Sequence, residues 1–103
     1  MKNIFVCSQL SGDIEHNTEQ ARRYCIKELL NGNAPFAPHL LYPQMLDENR
    51  AEDRELGIAC GLSILKVCDA VHVWTVDGVI SSGMRCEINF AVENNIPVYY
   101  TSA

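Results

Sequence analysis

Glu87 is the residue whose type and setting point most directly to chemistry. It follows Ser81-Ser82-Gly83. The spacing predicts a helix from about Ser82 to Asn94, with Met84, Glu87, Ile88 and Ala91 on one i, i+3, i+4, i+7 stripe. Such a stripe faces a core, so the carboxylate points inward. In the first helical turn it sits beside free backbone N–H groups and the positive end of the helix dipole, both of which favour an anion. The expectation is a buried carboxylate held ionised, as a nucleophile needs. The plainer alternative is a Glu that complements the dipole from a solvated edge.

Other residues gain interest from their place relative to Glu87. Ser81, Ser82, Gly83 and Met84 form the turn that leads into it, and the first three can offer hydrogen bonds to a phosphate or sugar. Ser8-Gln9-Leu10-Ser11-Gly12 is a second Ser/Gly loop ahead of a helix. His39, between Pro38 and Leu40, is either a ligand contact and acid or a corner histidine holding backbone. Asn17 is an inward amide that can touch a sugar hydroxyl or simply cap and pack. Asp77 precedes Gly78 and reads as a turn residue or as a general acid. Cys86, beside Glu87, is the one thiol with a conceivable reactive role.

The elements that must position these residues follow from the apolar pattern. Asn3–Cys7 is a short buried strand closed by the Ser8–Gly12 loop. A long helix follows, capped by Ser11 or Asp13, with Ile14, Thr18, Ala21, Cys25 and Leu29 inward and Asn31-Gly32-Asn33 as its stop. Ala34–Pro38 is a strand that its prolines confine to an edge, and His39 to Leu46 is a connector. An acidic lead-in over Asp47–Arg54 opens a helix over Glu55–Lys66, whose stripe is Leu56, Ala59, Leu62 or Ser63, and Lys66, and whose two glycines permit close packing. Asp69–Thr75 is the third strand, Val76–Val79 a D-G loop, and Ile96–Tyr100 a last strand. Alternating strands and helices predict a single α/β domain, a three-layer Rossmann-like or flavodoxin-like sandwich with a mostly parallel sheet of four to five strands. In such a sheet ligands bind at the carboxyl ends of the strands, where the Ser8–Asp13, Pro38-His39, Asp77-Gly78 and Ser81–Glu87 segments converge.

Composition narrows the function classes. The 103 residues are 48% hydrophobic and carry eight basic against thirteen acidic side chains, net −5. No Lys/Arg run provides a footprint for nucleic acid. No apolar stretch approaches a membrane span or a signal core, so a cytoplasmic protein without membrane contact is expected. Five cysteines, with no C-x-x-C pair, read as reduced thiols rather than a zinc knuckle or a disulfide framework. With no G-x-x-x-x-G-K-[ST] and no G-x-G-x-x-G, NTP hydrolysis and dinucleotide redox chemistry lose their main support.

Three stretches, Phe5-Val6-Cys7-Ser8-Gln9-Leu10-Ser11-Gly12, Cys68-Asp69-Ala70-Val71-His72-Val73 and Ser81-Ser82-Gly83-Met84-Arg85-Cys86-Glu87-Ile88, resemble the signature regions of the nucleoside 2-deoxyribosyltransferase superfamily. The likeness spans nearly the whole chain and is strongest to a small bacterial and phage branch. That branch has a similar Gly12-Asp13-Ile14-Glu15, Ala21-Arg22-Arg23-Tyr24-Cys25, Pro35-Phe36-Ala37-Pro38-His39-Leu40-Leu41 and Gly83-Met84 pattern. The resemblance implies that Glu87 attacks C1′ of a deoxyribose and releases the base, leaving a glycosyl-enzyme that a second base or water resolves, as in retaining glycosidases.

Ser81 stands where the transferases carry a second carboxylate and where the deoxynucleoside 5′-monophosphate N-glycosidases carry a phosphate-binding serine. Gly83 matches as well, which favours a nucleotide. The chain departs from the hydrolases at Gly61-Leu62-Ser63, where an Asp is usual, at Ser11, where they have Arg, and at Arg85, where many relatives have Gly. Two function classes are therefore carried forward. One is an N-glycosidase or deoxyribosyltransferase acting on a nucleotide or nucleoside derivative, with no cofactor and no metal. The other is a noncatalytic module that binds or sequesters a nucleotide-like signal. A homodimer or larger homo-oligomer is expected, because the relatives complete their pockets across a subunit interface and lend them residues from the region of Tyr99 and Tyr100.

Overall fold

The computed structural model describes residues 1–103. In chain order the elements are β1 (Asn3–Cys7), α1 (Ile14–Leu30), β2 (Ala34–Phe36), single 3-10 turns at Pro38–Leu40 and Tyr42–Gln44, α2 (Ala51–Leu65), β3 (Ala70–Thr75), α3 (Ser82–Glu93) and β4 (Val98–Ser102). The sheet is four-stranded and parallel throughout, in the order β2-β1-β3-β4. Ile4 opposes Ala70 and Cys7 opposes Val73, so β1 and β3 form the centre. Both are apolar runs because both of their faces are covered. Pro35 is tolerated because β2 is an edge.

One core lies under α2 and α3, where Phe5, Cys7, Val71 and Val73 meet Leu65, Met84, Ile88 and Ala91. The other lies under α1, where Val6 and Trp74 meet Ala21, Tyr24 and Cys25. Two helices on one face and one on the other give the expected three layers. No helix is long and apolar enough to cross a membrane.

Three local expectations are corrected. The inward face of α1 is Ala21, Tyr24, Cys25 and Glu28 rather than Ile14, Thr18 and Leu29, and Leu29 is 59% exposed. Tyr24 turns inward to stack on Trp74, with ring centroids 4.7 Å apart and planes within 7°. Glu28 can be buried because His72 Nδ1 and Asn33 Nδ2 both hydrogen-bond its carboxylate, and His72 Nε2 continues to Thr101 Oγ1 at 2.7 Å.

Helix α2 begins at Ala51 rather than Glu55, with Glu52 and Asp53 in its first turn complementing the dipole. It buries Gly61 and Leu65 and leaves Leu56 53% exposed, because it approaches its neighbours on the glycine side. A Cβ at Gly61 would lie 3.5 Å from Pro38 Cβ, and one at Gly57 3.5 Å from Leu46 Cδ1. Strand β4 starts at Val98 rather than Ile96. Asn95, at φ +58°, closes α3, and Ile96 N–H still bonds back to the Ala91 carbonyl at 2.8 Å.

Candidate active site

The chain leaves β1 for α1 on one face of the sheet and β3 for α3 on the other, so the switch point lies at the carboxyl ends of these two central strands. Helix α3 begins there because Ser81 caps it, its Oγ accepting from Met84 N–H at 3.3 Å. The first intrahelical bond, Arg85 N–H to Ser81 O, leaves the N–H groups of Ser82 and Gly83 free. Apart from its chain neighbours and its own helix backbone, no atom lies within 4 Å of where a Gly83 Cβ would stand, so no other part of the chain packs over this turn.

One turn on, Glu87 is 6% exposed and shares its stripe with Met84, Ile88 and Ala91. Its carboxyl has no ion-pair partner. Burial pushes it up to about 8, offset in part by a hydrogen bond from the Cys7 thiol. The ionised carboxylate expected from the dipole is thus corrected: an exposed first-turn Glu feels the dipole, but here desolvation of the charge outweighs it. Burial, and then the neighbouring Glu87, drive the Cys7 thiol far above its ordinary range, so it stays a neutral donor. It also faces the Met84 carbonyl at 3.8 Å.

The β1–α1 loop is folded by its own amides. Asn17 Nδ2 donates to the carbonyls of Leu10 at 3.0 Å and Ser11 at 3.2 Å, and Gln9 Nε2 donates to Ser11 O at 3.1 Å. Gly12 supplies the positive φ of +100° that lets Asp13 cap α1 through His16 N–H. Ser8, 4% exposed, keeps a buried hydroxyl with no partner. Its carbonyl receives His39 Nε2 at 2.6 Å. Burial lowers the His39 pKa against the smaller raising effect of that carbonyl, so the ring is neutral at pH 7 and donates from Nε2.

These segments enclose a cleft of about 160 Å³. Ser8, Leu10, Ser11, His39, Ser81, Ser82, Gly83, Met84 and Glu87 all line it. Gln9 and Asn17 instead line a neighbouring cavity of about 30 Å³ that shares Ser8 and Met84 with the cleft and includes Trp74, whose buried Nε1 has no partner. Gly12 and Asp77 line neither. Asp77 and Gly78, at φ +54° and +71°, form the turn after β3. Cys86 is exposed and outside the cleft. No group of three or more His, Cys, Asp or Glu side chains is placed to hold a metal ion.

The rest of the lining was not expected from the sequence. Tyr42, Glu48, Arg54 and Ile58 also line the cleft, and Arg54 is its only Lys or Arg. Glu48 and Arg54 form no ion pair with each other. The signal available was the i, i+3, i+4 spacing of Arg54, Gly57 and Ile58, once the start of α2 is moved back to Ala51.

A family model described as Domain of unknown function (DUF7768) matches residues 2–101, and the chain belongs to that family. No curated protein matches it. Among solved structures it is similar to a 2-deoxyribosyltransferase from the psychrotolerant bacterium Bacillus psychrosaccharolyticus. That likeness covers 97% of this chain and 72% of the other, with a TM-score of 0.70 and 18% sequence identity. The chain therefore has the deoxyribosyltransferase-like fold.

Proposed function

We propose that this member of the DUF7768 family binds a nucleotide or nucleoside derivative and cleaves or transfers at its N-glycosidic bond, with Glu87 as nucleophile. The observation that carries the reading is Glu87 itself. An enclosed carboxyl without a charged partner is costly to bury, and it lies in a cleft edged by free backbone donors. The fold shared with a 2-deoxyribosyltransferase supports the same reaction class.

In this reading the N–H groups of Ser82 and Gly83 hold the 5′ end of the ligand, and Arg54, the cleft's only Lys or Arg, pairs with its phosphate. The unpartnered Ser8 hydroxyl serves as a ligand donor or acceptor. Glu87 gives up its proton to solvent, its carboxylate oxygen bonds to C1′, and the C1′–N bond breaks with its electron pair leaving on the base, which takes a proton from solvent. Water or a second base then resolves the glycosyl-enzyme. Ser11, Leu10, His39 and Met84 complete the walls, while Gln9 and Asn17 support the loop from behind. The reading includes a homodimer or larger assembly, supported by Tyr99 and Tyr100, 41% and 56% exposed on edge strand β4.

One observation favours the second class, a module that binds a nucleotide without turning it over. A Glu87 that holds its proton at neutral pH is not yet a nucleophile. Incubation with a panel of ribo- and deoxynucleosides and their 5′-monophosphates, with chromatographic detection of free base, separates the two. Base release that falls about a thousandfold or more in Glu87→Gln, with ligand affinity retained, is the expected result. Binding without base release establishes the module, and base release undiminished in Glu87→Gln overturns the nucleophile.

A further inference from the structure

We propose that the small cavity behind Ser8 receives the 2′-hydroxyl of the ligand, so that the site takes ribonucleotides in preference to their 2′-deoxy counterparts. The inference rests on the glycosidic reading of the cleft, which brings C1′ of the ligand to Glu87.

Ser8 Oγ and Trp74 Nε1 are the two buried side-chain polar atoms without a hydrogen-bond partner. Both belong to residues that line the same cavity of about 30 Å³. Ser8 is 4% and Trp74 6% exposed, so bulk water does not satisfy them. The indole is held by Tyr24, with ring centroids 4.7 Å apart, and by His72 at 4.2 Å, so its N–H keeps one direction. Folded proteins rarely leave such atoms unpaired, and two at one spot point to a bound group that pairs with both.

The lining sets the chemistry of that group. The indole N–H only donates, and the serine hydroxyl donates or accepts. Asn17 has committed its amide nitrogen to the Leu10 and Ser11 carbonyls, which leaves its oxygen as an acceptor. No Lys or Arg lines the cavity, which disfavours a charged phosphate oxygen. One water-sized group needs about 10–15 Å³, so there is room for a hydroxyl but not for a base ring. An uncharged hydroxyl that accepts from Trp74 and donates to Ser8 or Asn17 meets both the size and the pairing.

The cavity also lies beside the reacting carbon. Ser8 and Met84 are the residues it shares with the cleft. Met84 is on the Glu87 stripe, about one helical turn earlier. Cys7, next to Ser8, donates to the Glu87 carboxyl and faces the Met84 carbonyl at 3.8 Å. Of the atoms bonded to C1′, the ring oxygen carries no substituent and the base is too large, which leaves C2′ and its hydroxyl. Hydrogen bonds to that hydroxyl strengthen in the transition state of glycosidic cleavage, so the same contact serves selection and turnover.

The test is isothermal titration of the full chain with the 5′-monophosphates of adenosine, guanosine, cytidine and uridine and with their 2′-deoxy forms. At least one ribonucleotide is expected to bind about tenfold or more tightly than its deoxy form. Trp74→Phe keeps an aromatic ring but removes the N–H, and it should bring that ratio to within about twofold. Ser8→Ala should lower it in the same sense. A general loss of fold moves both affinities together, so where Trp74→Phe binds neither form the ratio in Ser8→Ala decides. Trp74 is the only tryptophan, and its emission in the wild type is expected to shift with the ribonucleotide and not with the deoxy form. Equal affinities within every pair, a preference for the deoxy forms, or a ribonucleotide preference that survives both variants overturns the 2′-hydroxyl assignment and leaves the nucleotide reading standing. A wild-type chain that binds none of these nucleotides overturns both.

Discussion

His39 Nε2 lies 2.6 Å from the carbonyl oxygen of Ser8, 31 residues earlier in the chain, and this bond ties the turn after β2 to the end of β1. It fixes the tautomer, because a ring that donates from Nε2 while neutral leaves Nδ1 as an acceptor. Ser8 in turn lines both the cleft and the smaller cavity behind it. The histidine is therefore a brace for the ligand loop. His39→Ala is expected to cost about 1–2 kcal/mol in urea denaturation and to weaken ligand binding, with His39→Gln recovering part of both. An unchanged denaturation midpoint for His39→Ala would show that the loop stands without the brace.

The buried Glu87 carboxyl makes both stability and turnover depend on pH. Its folded-state pKa of about 8 lies above the ordinary 4.5, so between these values the native protein holds a proton that the unfolded chain has released. The stabilisation is complete below about 4.5 and is lost as pH rises through about 8, on the order of 5 kcal/mol across the window. Denaturation at pH 5 and pH 8.5 is expected to show the wild type losing stability and Glu87→Gln losing much less. His39 acts in the opposite direction below its ordinary 6.5. Turnover by a Glu87 nucleophile should climb with pH to a plateau near 8, and a rate that falls over that range would contradict it.

Arg54 is the only Lys or Arg lining the cleft and has no ion-pair partner, so a phosphate ligand should feel its loss. Arg54→Ala is expected to weaken a nucleoside 5′-monophosphate about tenfold while leaving the matching nucleoside unchanged. Isothermal titration at low and high salt measures this, and the difference should shrink as salt screens the charge. Equal affinity for both ligands in the wild type would remove the phosphate from the site.

Glu28 holds β3 and β4 to α1 through His72 and Thr101, with Asn33 on its second oxygen. Truncation to Ala leaves His72 Nδ1 and Asn33 Nδ2, both half-buried, without their acceptor, and a loss of about 1–3 kcal/mol is expected. Glu28→Gln keeps the shape and should lose less. A thermal scan of the two variants tests the order, and a Glu28→Ala protein as stable as wild type would make the network incidental.

The architecture was readable because it follows from local patterns. Short β-branched runs between amphipathic segments dictate a parallel sheet covered on both faces, and one helical stripe of Met84, Glu87, Ile88 and Ala91 places the carboxyl inward. The Ser/Gly stretches at residues 8–12 and 81–83 mark where backbone donors come free at the carboxyl ends of strands. Spacing and turn chemistry settle such features before anything packs.

What packing decided lies where distant segments meet. The ionisation of Glu87 depends on how much water reaches it, and that is set by Cys7 on β1, 80 residues away in sequence by their numbers, and by the walls around both. The inward face of α1 turned toward Tyr24 because Trp74 on β3 was there to stack on it. Glu48 and Arg54 read only as part of the acidic lead-in to a helix and became a wall of the cleft only when α2 leaned its glycines against Pro38 and Leu46. Periodicity reports which side of an element is buried. Desolvation and charge pairing depend on what the rest of the chain brings against that side, so they belong to the tertiary structure.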